Sequence, residues 1–304
     1  MEAFLAASIS ASMPLLYGSL GAIINEKAGL LNLGVEGIMM VGGMSAYVAA
    51  RFTNNPLLAI LFGLLSGVLM SLIYGFLTIS LRINQSVTGL TLATFGTGLA
   101  NTFGRSFIGQ PISQEVAVWF NAYKIPLLGD IPIIGRLLFN QDIFVYCGYI
   151  LVIGLTLLFK FSKIGLYLKA IGDHPAAADS LGINVTLWRY LSVMIGGAIM
   201  AMGGAYITLS YMEKWLTSIT MGRGWIAVAL VIFAAWKPIR AWLGALLFGM
   251  LSIIQFYFKL PISEYFIVMA PYIATIVVLI LMSNKQGKNK PPLSLGIPYF
   301  RENR

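Results

Sequence analysis

The feature that most constrains this chain is a succession of apolar runs, each close to the length that crosses a bilayer. About nine such runs, of 13 to 24 residues, follow one another through the 304 residues. Hydrocarbon offers no hydrogen-bonding partner, so a segment inside it must satisfy its own backbone groups, as a helix does. The pattern predicts an all-α, polytopic bundle of about nine transmembrane spans (8 to 10), surrounded by membrane lipid.

Composition excludes a soluble protein. Hydrophobic residues make up 58% of the chain and charged residues only 10%, whereas a soluble domain carries about 25% charged residues. The predicted spans are 3–24, 35–50, 57–80, 86–103, 143–160, 188–212, 224–236, 241–258 and 265–282. The runs 35–50 and 224–236 are short, and we expect them to be tilted, broken or buried inside the bundle.

The net charge of +9 does not indicate a nucleic-acid partner, because the basic residues lie between apolar runs rather than in one patch. Loops that face the cytoplasm carry an excess of Lys and Arg. With the N-terminus outside and the C-terminus cytoplasmic, 13 of the 20 basic residues fall inside. This orientation obeys the rule, and its mirror image violates it.

The predicted transmembrane domain covers residues 1–282 and contains one long outer loop, 104–142. Prolines and glycines in that loop argue against a continuous span. It is either a structured connector or a landing surface for an extracytoplasmic binding protein. Residues 283–304 form a basic, Pro-rich tail that we expect to be cytoplasmic and solvated.

One polar stretch, within a predicted cytoplasmic loop at 161–187, has the pattern of a short helix. Asp173 or His174 can cap a helix that begins at Pro175, a residue tolerated in a first turn. Three alanines, 176–178, propagate it, and Gly182 suits a left-handed residue past its end. We expect two turns with small side chains that another surface can approach closely; the alternative is a simple linker between spans.

This stretch also carries a family resemblance. Residues 165–184, GLYLKAIGDHPAAADSLGIN, resemble the cytoplasmic coupling loop of ABC importer permeases of the ribose, nucleoside and branched-chain amino-acid group. Residues 25–43, NEKAGLLNLGVEGIMMVGG, resemble the first conserved segment of the nucleoside-type members, and residues 224–249 form a weaker third match. The chain departs from the family's Gly-rich turn at 236–240, which reads WKPIR.

The resemblance implies a permease of an importer, most like those for nucleosides, in a bacterial plasma membrane. Its implied partners are an ABC ATPase, a second related permease in a heterodimeric pore and an extracytoplasmic solute-binding lipoprotein. The positions it implies for coupling to the ATPase are Gly165, Lys169, Ala170, Gly172, Asp173, Ala176, Ala177, Gly182 and Asn184. Permeases of the same group for simple sugars or branched-chain amino acids remain the nearest alternative.

Enzyme chemistry has no support in the sequence. The chain contains no G-x-x-x-x-G-K-[ST] motif, so ATP must be bound and hydrolysed by a partner, and we expect no cofactor. The single histidine, His174, and the single cysteine, Cys147, cannot form a metal site. An ion-coupled carrier, the more distant alternative, places ionisable residues inside its spans, and only Glu36 fits that description.

Polar residues inside spans are costly and indicate a lined pathway. Threonines recur at every third position from Thr88 to Thr97, and hydroxyl, amide and aromatic groups suit a sugar joined to a heterocyclic base. The predicted pathway residues are Asn32, Glu36, Thr91, Thr94, Phe95 and Asn101. The alternative role for the threonines is hydrogen bonding between helices, and for Asn32 and Glu36 it is to fix a kinked segment.

Overall fold

A computed structural model describes residues 2–126, 129, 135, 139–258, 269, 273, 276, 277, 280 and 290–301. Within these residues the chain is almost entirely helical, with one pair of two-residue antiparallel strands, β1 (Tyr123–Lys124) and β2 (Asn140–Gln141). The helices are α1 (Glu2–Lys27), α2 (Val35–Thr53), α3 (Pro56–Gly75), α4 (Gln85–Gly104), α5 (Gln114–Trp119), α6 (Ile143–Phe161), α7 (Lys163–Asp173), α8 (Pro175–Ser180), α9 (Val185–Tyr206), α10 (Arg223–Phe233) and α11 (Pro238–Tyr257).

Every predicted span before residue 259 coincides with a helix, whereas the span 265–282 falls outside the described residues apart from isolated positions. Four described helices are long and apolar enough to cross a membrane: Glu2–Lys27, Pro56–Ser80, Ile143–Phe161 and Val185–Tyr211. The second and fourth of these end in a π-helical turn. Helix α10 has only 11 residues, about half of a bilayer crossing at 1.5 Å per residue.

Successive spans run in opposite directions. Lys27 at the end of α1 and Lys237 before α11 line one cavity with Lys169 of α7, which places them at one end of the bundle. At the other end, Tyr47 near the end of α2 donates to the carbonyl of Gln110. We call the first of these the coupling-loop end, because it carries residues 161–187.

Helix α9 is the centre of the bundle, and glycines bring its neighbours close. A Cβ on Gly196 would meet α1 at the Gly21 carbonyl, and one on Gly204 would meet α2 at the Met39 carbonyl. A Cβ on Gly197 would meet Ser71 of α3. Small residues allow this backbone approach between membrane helices, so these glycines have a packing role.

The expectation of a solvated tail is wrong for residues 290–301. Ser294 is buried, and its backbone N–H and hydroxyl both donate to the Gly172 carbonyl, at 2.9 and 2.7 Å. Tyr299 donates to Asp179 at 2.9 Å, and Arg301 forms an ion pair with the same carboxylate at 3.2 Å. Backbone and aromatic contacts hold this segment against α7 and α8 despite its basic, Pro-rich composition.

Candidate translocation surface and coupling segment

Residues 162–184, which carry the predicted coupling positions, contain two helices. Helix α8 begins at Pro175, with His174 at the N-cap position, and Gly182 has a left-handed backbone (φ +83°) past its end, as predicted. The His174 side chain makes no capping hydrogen bond. The 11-residue helix α7 precedes α8, and Ser162 caps it by accepting from the Gly165 N–H at 3.0 Å.

The residues predicted to couple to the ATPase divide into an exposed set and a packed set. Exposed residues are Lys169, Ala176, Ala177, Gly182 and Asn184. Gly165 and Gly172 are buried: a Cβ would meet the Leu158 carbonyl at the first and the Lys27 carbonyl at the second. Ala170 and Asp173 are half-buried. The exposed set offers the most accessible surface to a partner protein, and the two buried glycines serve packing within the chain.

Glu36 anchors the segment that enters the bundle before α10. Its carboxylate accepts hydrogen bonds from the Thr220 hydroxyl at 2.5 Å, the Gly222 N–H at 2.9 Å and the Gly224 N–H at 2.6 Å. Gly222 is the N-cap of α10, and a carboxylate at a helix N-terminus satisfies otherwise unpaired N–H groups. Glu36 is only 8% exposed, so the structure gives it an anchoring role.

Asn32 shapes the non-helical turn before α2. It is 1% exposed, and its Oδ1 accepts from the Gly34 N–H at 2.9 Å. Tyr74 of α3 holds the same turn by donating to the Leu31 carbonyl at 2.8 Å. Buried at this depth, Asn32 belongs to the support of the turn rather than to an exposed surface.

One face of α4 is exposed and mixed in character. Thr91, Thr94 and Phe95 lie on it, and the two hydroxyls bond to carbonyls of their own helix. Thr88 is buried and Thr97 is half-buried, because a spacing of three residues drifts around a 3.6-residue helix. Asn101, near the end of α4, bonds the Ser218 backbone N–H at 3.0 Å and its hydroxyl at 3.3 Å.

The segment joined to Asn101 extends this face. Exposed residues between Asn101 and the Glu36 anchor include Ser218, Met221 and Trp225. We define the translocation surface as the exposed residues of α4 and of 217–225. Trp225 was not among the predicted pathway residues, and the short length of the run 224–236 was the one signal of a partial span here.

The outward faces of other helices differ from this surface. On α3 the exposed side chains include Leu61, Leu65 and Leu69, and on α6 they include Ile153 and Leu157. These faces also expose Phe62 of α3 and Gly154 of α6, and their apolar character suits lipid. The exposed hydroxyl groups of Thr91 and Thr94 distinguish the face of α4 and suit it to another neighbour.

The structure shows how residues 236–240, WKPIR, are accommodated where a Gly-rich turn was expected. Ala235 and Trp236 have left-handed backbones (φ +49° and +56°), a conformation that glycine adopts without strain. The Trp236 indole is buried and donates to Glu26 Oε2 at 2.6 Å. This hydrogen bond joins the end of α10 to the end of α1 and holds the strained turn in place.

Residues 4–283 match the family described as the branched-chain amino acid transport system / permease component. The guanosine ABC transporter permease protein NupQ of Bacillus subtilis is 33% identical, over 98% of this chain and 96% of NupQ. The nucleoside ABC transporter permease protein NupC of Lactococcus lactis is 34% identical, over 95% and 94%. TsgC13 of Haloferax volcanii, assigned to a glucose ABC transporter, is 38% identical over 82% of this chain and 75% of its own length.

A solved ABC transporter of metal-chelate type, in an inward-facing conformation, has the same fold. Its TM-score is 0.51 at 12% identity, over 92% of this chain and 85% of that one. Permeases are transport subunits rather than enzymes, and their family implies a separate ATPase that uses ATP. The chain is thus a membrane protein and belongs to the family of ABC transporter permease components described for branched-chain amino acid transport.

Proposed function

We propose that this chain is the permease of a nucleoside importer in a bacterial plasma membrane, with its N-terminus outside and its C-terminus cytoplasmic. The observation that carries the substrate class is near-complete coverage by two relatives named for guanosine and nucleosides. The translocation surface supports it, because it combines the hydroxyl groups of Thr91 and Thr94 with the rings of Phe95 and Trp225, and the half-buried amide of Asn101 bonds Ser218 at its edge. Aromatic rings stack on nucleobases with a gain of about 1–3 kcal/mol per base.

The translocation surface is the half of the pathway that this chain supplies. It is exposed within a single chain, and a second related permease would close it from the other side. The pairing we propose is heterodimeric. An extracytoplasmic solute-binding lipoprotein would deliver the substrate to the end opposite α8, where the described residues of 104–142 lie.

Substrate class is tested by uptake into cells that express the complete transporter. We expect these cells to take up labelled guanosine. Unlabelled nucleosides should reduce this uptake, whereas a large excess of glucose should leave it unchanged. A sugar importer is the second candidate, because the glucose-assigned relative is the more similar in sequence over the residues that it covers. Competition by glucose but not by nucleosides would establish that candidate and refute ours.

Helix α8 is the proposed contact for the ATPase. Ala176 and Ala177 are exposed on it, whereas Ala178 is 1% exposed and packs inward. We expect Ala177→Glu to abolish co-purification of the ATPase and nucleoside uptake while the chain still inserts in the membrane. Ala122→Glu, at an exposed position in the described part of the loop 104–142, is the matched control for ATPase co-purification. Normal ATPase recovery with Ala177→Glu would exclude this docking site.

The energy source has its own test. We expect vanadate, which blocks ABC ATPases, to stop uptake in membrane vesicles supplied with ATP. Uptake that survives vanadate but collapses with an uncoupler would instead indicate an ion-coupled carrier.

A further inference from the structure

A cavity of about 430 Å³ opens beside α8 at the coupling-loop end. Three arginines line it, Arg82, Arg189 and Arg301, together with a single carboxylate, that of Asp179. The charged side chains in the wall therefore sum to about +2. We call this space the arginine cavity; its wall also includes Gly182 and Asn184 of the predicted coupling positions, whereas the three arginines have no part in the proposed transport mechanism.

Arg189 is the residue that most needs an anion. It is 3% exposed; its Nη2 is buried beside Gly29, which does not line the cavity, and has no hydrogen-bond partner among the described residues. Its Nε donates to the Ala28 carbonyl at 3.3 Å, a neutral acceptor. Burial of a charge is costly unless the charge is paired, and no described carboxylate forms an ion pair with this guanidinium.

The start of α9 adds to the positive potential. Val185 and Thr186, the first residues of this 22-residue helix, line the cavity. Asn184 caps the helix by accepting from the Leu187 N–H at 3.0 Å. Its side-chain oxygen is therefore hydrogen-bonded to Leu187 rather than to Val185 or Thr186. The positive end of a helix dipole and oriented N–H groups favour an anion such as phosphate.

Asp179 offsets only one of the three positive charges in the wall. Its Oδ2 already accepts from the Tyr299 hydroxyl and pairs with Arg301, which joins the tail to α8 at the cavity wall. The Arg301 side chain is 73% exposed and can turn towards a ligand. Arginine forks match phosphate oxygens in bidentate geometry.

We propose that the arginine cavity binds a phosphate group, carried either by a soluble phosphate compound or by an anionic phospholipid headgroup. Arg189 supplies the buried charge, Arg82 and Arg301 close on the oxygens from the rim, and the N-terminus of α9 adds its dipole. Because the ligand would rest against α8 and the tail, its binding would stiffen the segment that we propose for ATPase docking.

The test uses the full chain in nanodiscs of neutral phosphatidylcholine. Thermal unfolding is followed while inorganic phosphate is titrated against sodium chloride of the same ionic strength. In a second series, phosphatidylglycerol replaces part of the neutral lipid. A ligand that binds only the folded state raises the unfolding midpoint as its concentration rises, so stabilisation in the first series indicates a soluble source and stabilisation in the second alone indicates lipid.

Variants assign the effect to the cavity. We expect Arg82→Gln and Arg301→Gln to raise the phosphate or lipid concentration needed for half of the effect by about tenfold, the loss typical of one charge-assisted hydrogen bond. Arg189→Gln should abolish the response. If that variant does not fold, Arg82→Gln and Arg301→Gln test the proposal in its place. Arg240→Gln, at an exposed position of the same end, should respond as the unaltered chain does.

Two results would overturn the proposal. One is the absence of stabilisation beyond that of chloride in both series. The other is a response of Arg82→Gln and Arg301→Gln equal to that of Arg240→Gln, since the effect would then arise from general surface charge.

Discussion

Glu36→Gln isolates the role of the carboxylate that anchors the segment before α10. Oε1 of Glu36 accepts from Thr220 and Gly222, and Oε2 accepts from Gly224. A glutamine has one acceptor oxygen and one NH₂ group, which only donates. Whichever way the amide is turned, a backbone N–H of Gly222 or Gly224 would face a donor.

The cost follows from that loss. An unsatisfied buried N–H costs about 1–3 kcal/mol, and removal of a negative charge from a helix N-terminus costs about 0.3–1 kcal/mol more. A penalty of about 2 kcal/mol, confined to residues 217–224, corresponds to an opening equilibrium roughly 30-fold more favourable. We expect slower nucleoside uptake, because this segment forms part of the translocation surface.

Hydrogen–deuterium exchange in nanodiscs measures the opening directly. Backbone amides of 217–224 should exchange about 30-fold faster in Glu36→Gln, at 1.4 kcal/mol per tenfold. Glu26→Gln is the matched control: an amide oxygen can still accept from the Trp236 indole, which is the one hydrogen bond described for that side chain. Equal protection of 217–224 in wild type and Glu36→Gln would refute the anchoring role.

Three further tests, with four substitutions, concern packing, the tail and the pathway. Gly204→Ala should destabilise the bundle by about 1–3 kcal/mol through overpacking against Met39. Gly98→Ala is the control, because nothing lies within 4 Å of the added Cβ, and it should leave the stability unchanged. Thermal unfolding measures the stability of both variants. Tyr299→Phe removes a hydrogen bond to Asp179 and should speed amide exchange in 290–301 about tenfold, with unchanged exchange showing that the tail is held elsewhere. Thr94→Val should raise the KM for nucleoside uptake several-fold if its exposed hydroxyl meets the solute; an unaltered KM assigns Thr94 to packing.

Local patterns predicted the helices closely. Apolar runs separated by polar segments have few alternatives in a bilayer, so each described span begins and ends within a few residues of its prediction. Helix α8 was equally predictable, because Pro175 fixes its start and Gly182 its end. The helix α7 before it was missed, since its apolar residues were assigned to a loop.

The roles of individual polar residues were less predictable. Thr88 and Thr91 look alike in sequence, yet the first is buried and the second exposed. Glu36 was a candidate for the pathway, but its carboxylate is occupied by three donors from a segment more than 180 positions away. The sequence around either residue does not indicate partners that are so distant along the chain.

The amino-acid sequence by itself determined the membrane-embedded helices, their likeness to ABC permeases and the short segment proposed for coupling, because hydrophobicity and helix-ending residues act locally. Tertiary structure alone decided which face of α4 stays uncovered, that the basic tail packs on α8, and that three arginines from separate segments meet in one cavity. These features depend on how helices cross and which glycines allow them to approach, and a linear pattern does not contain that geometry.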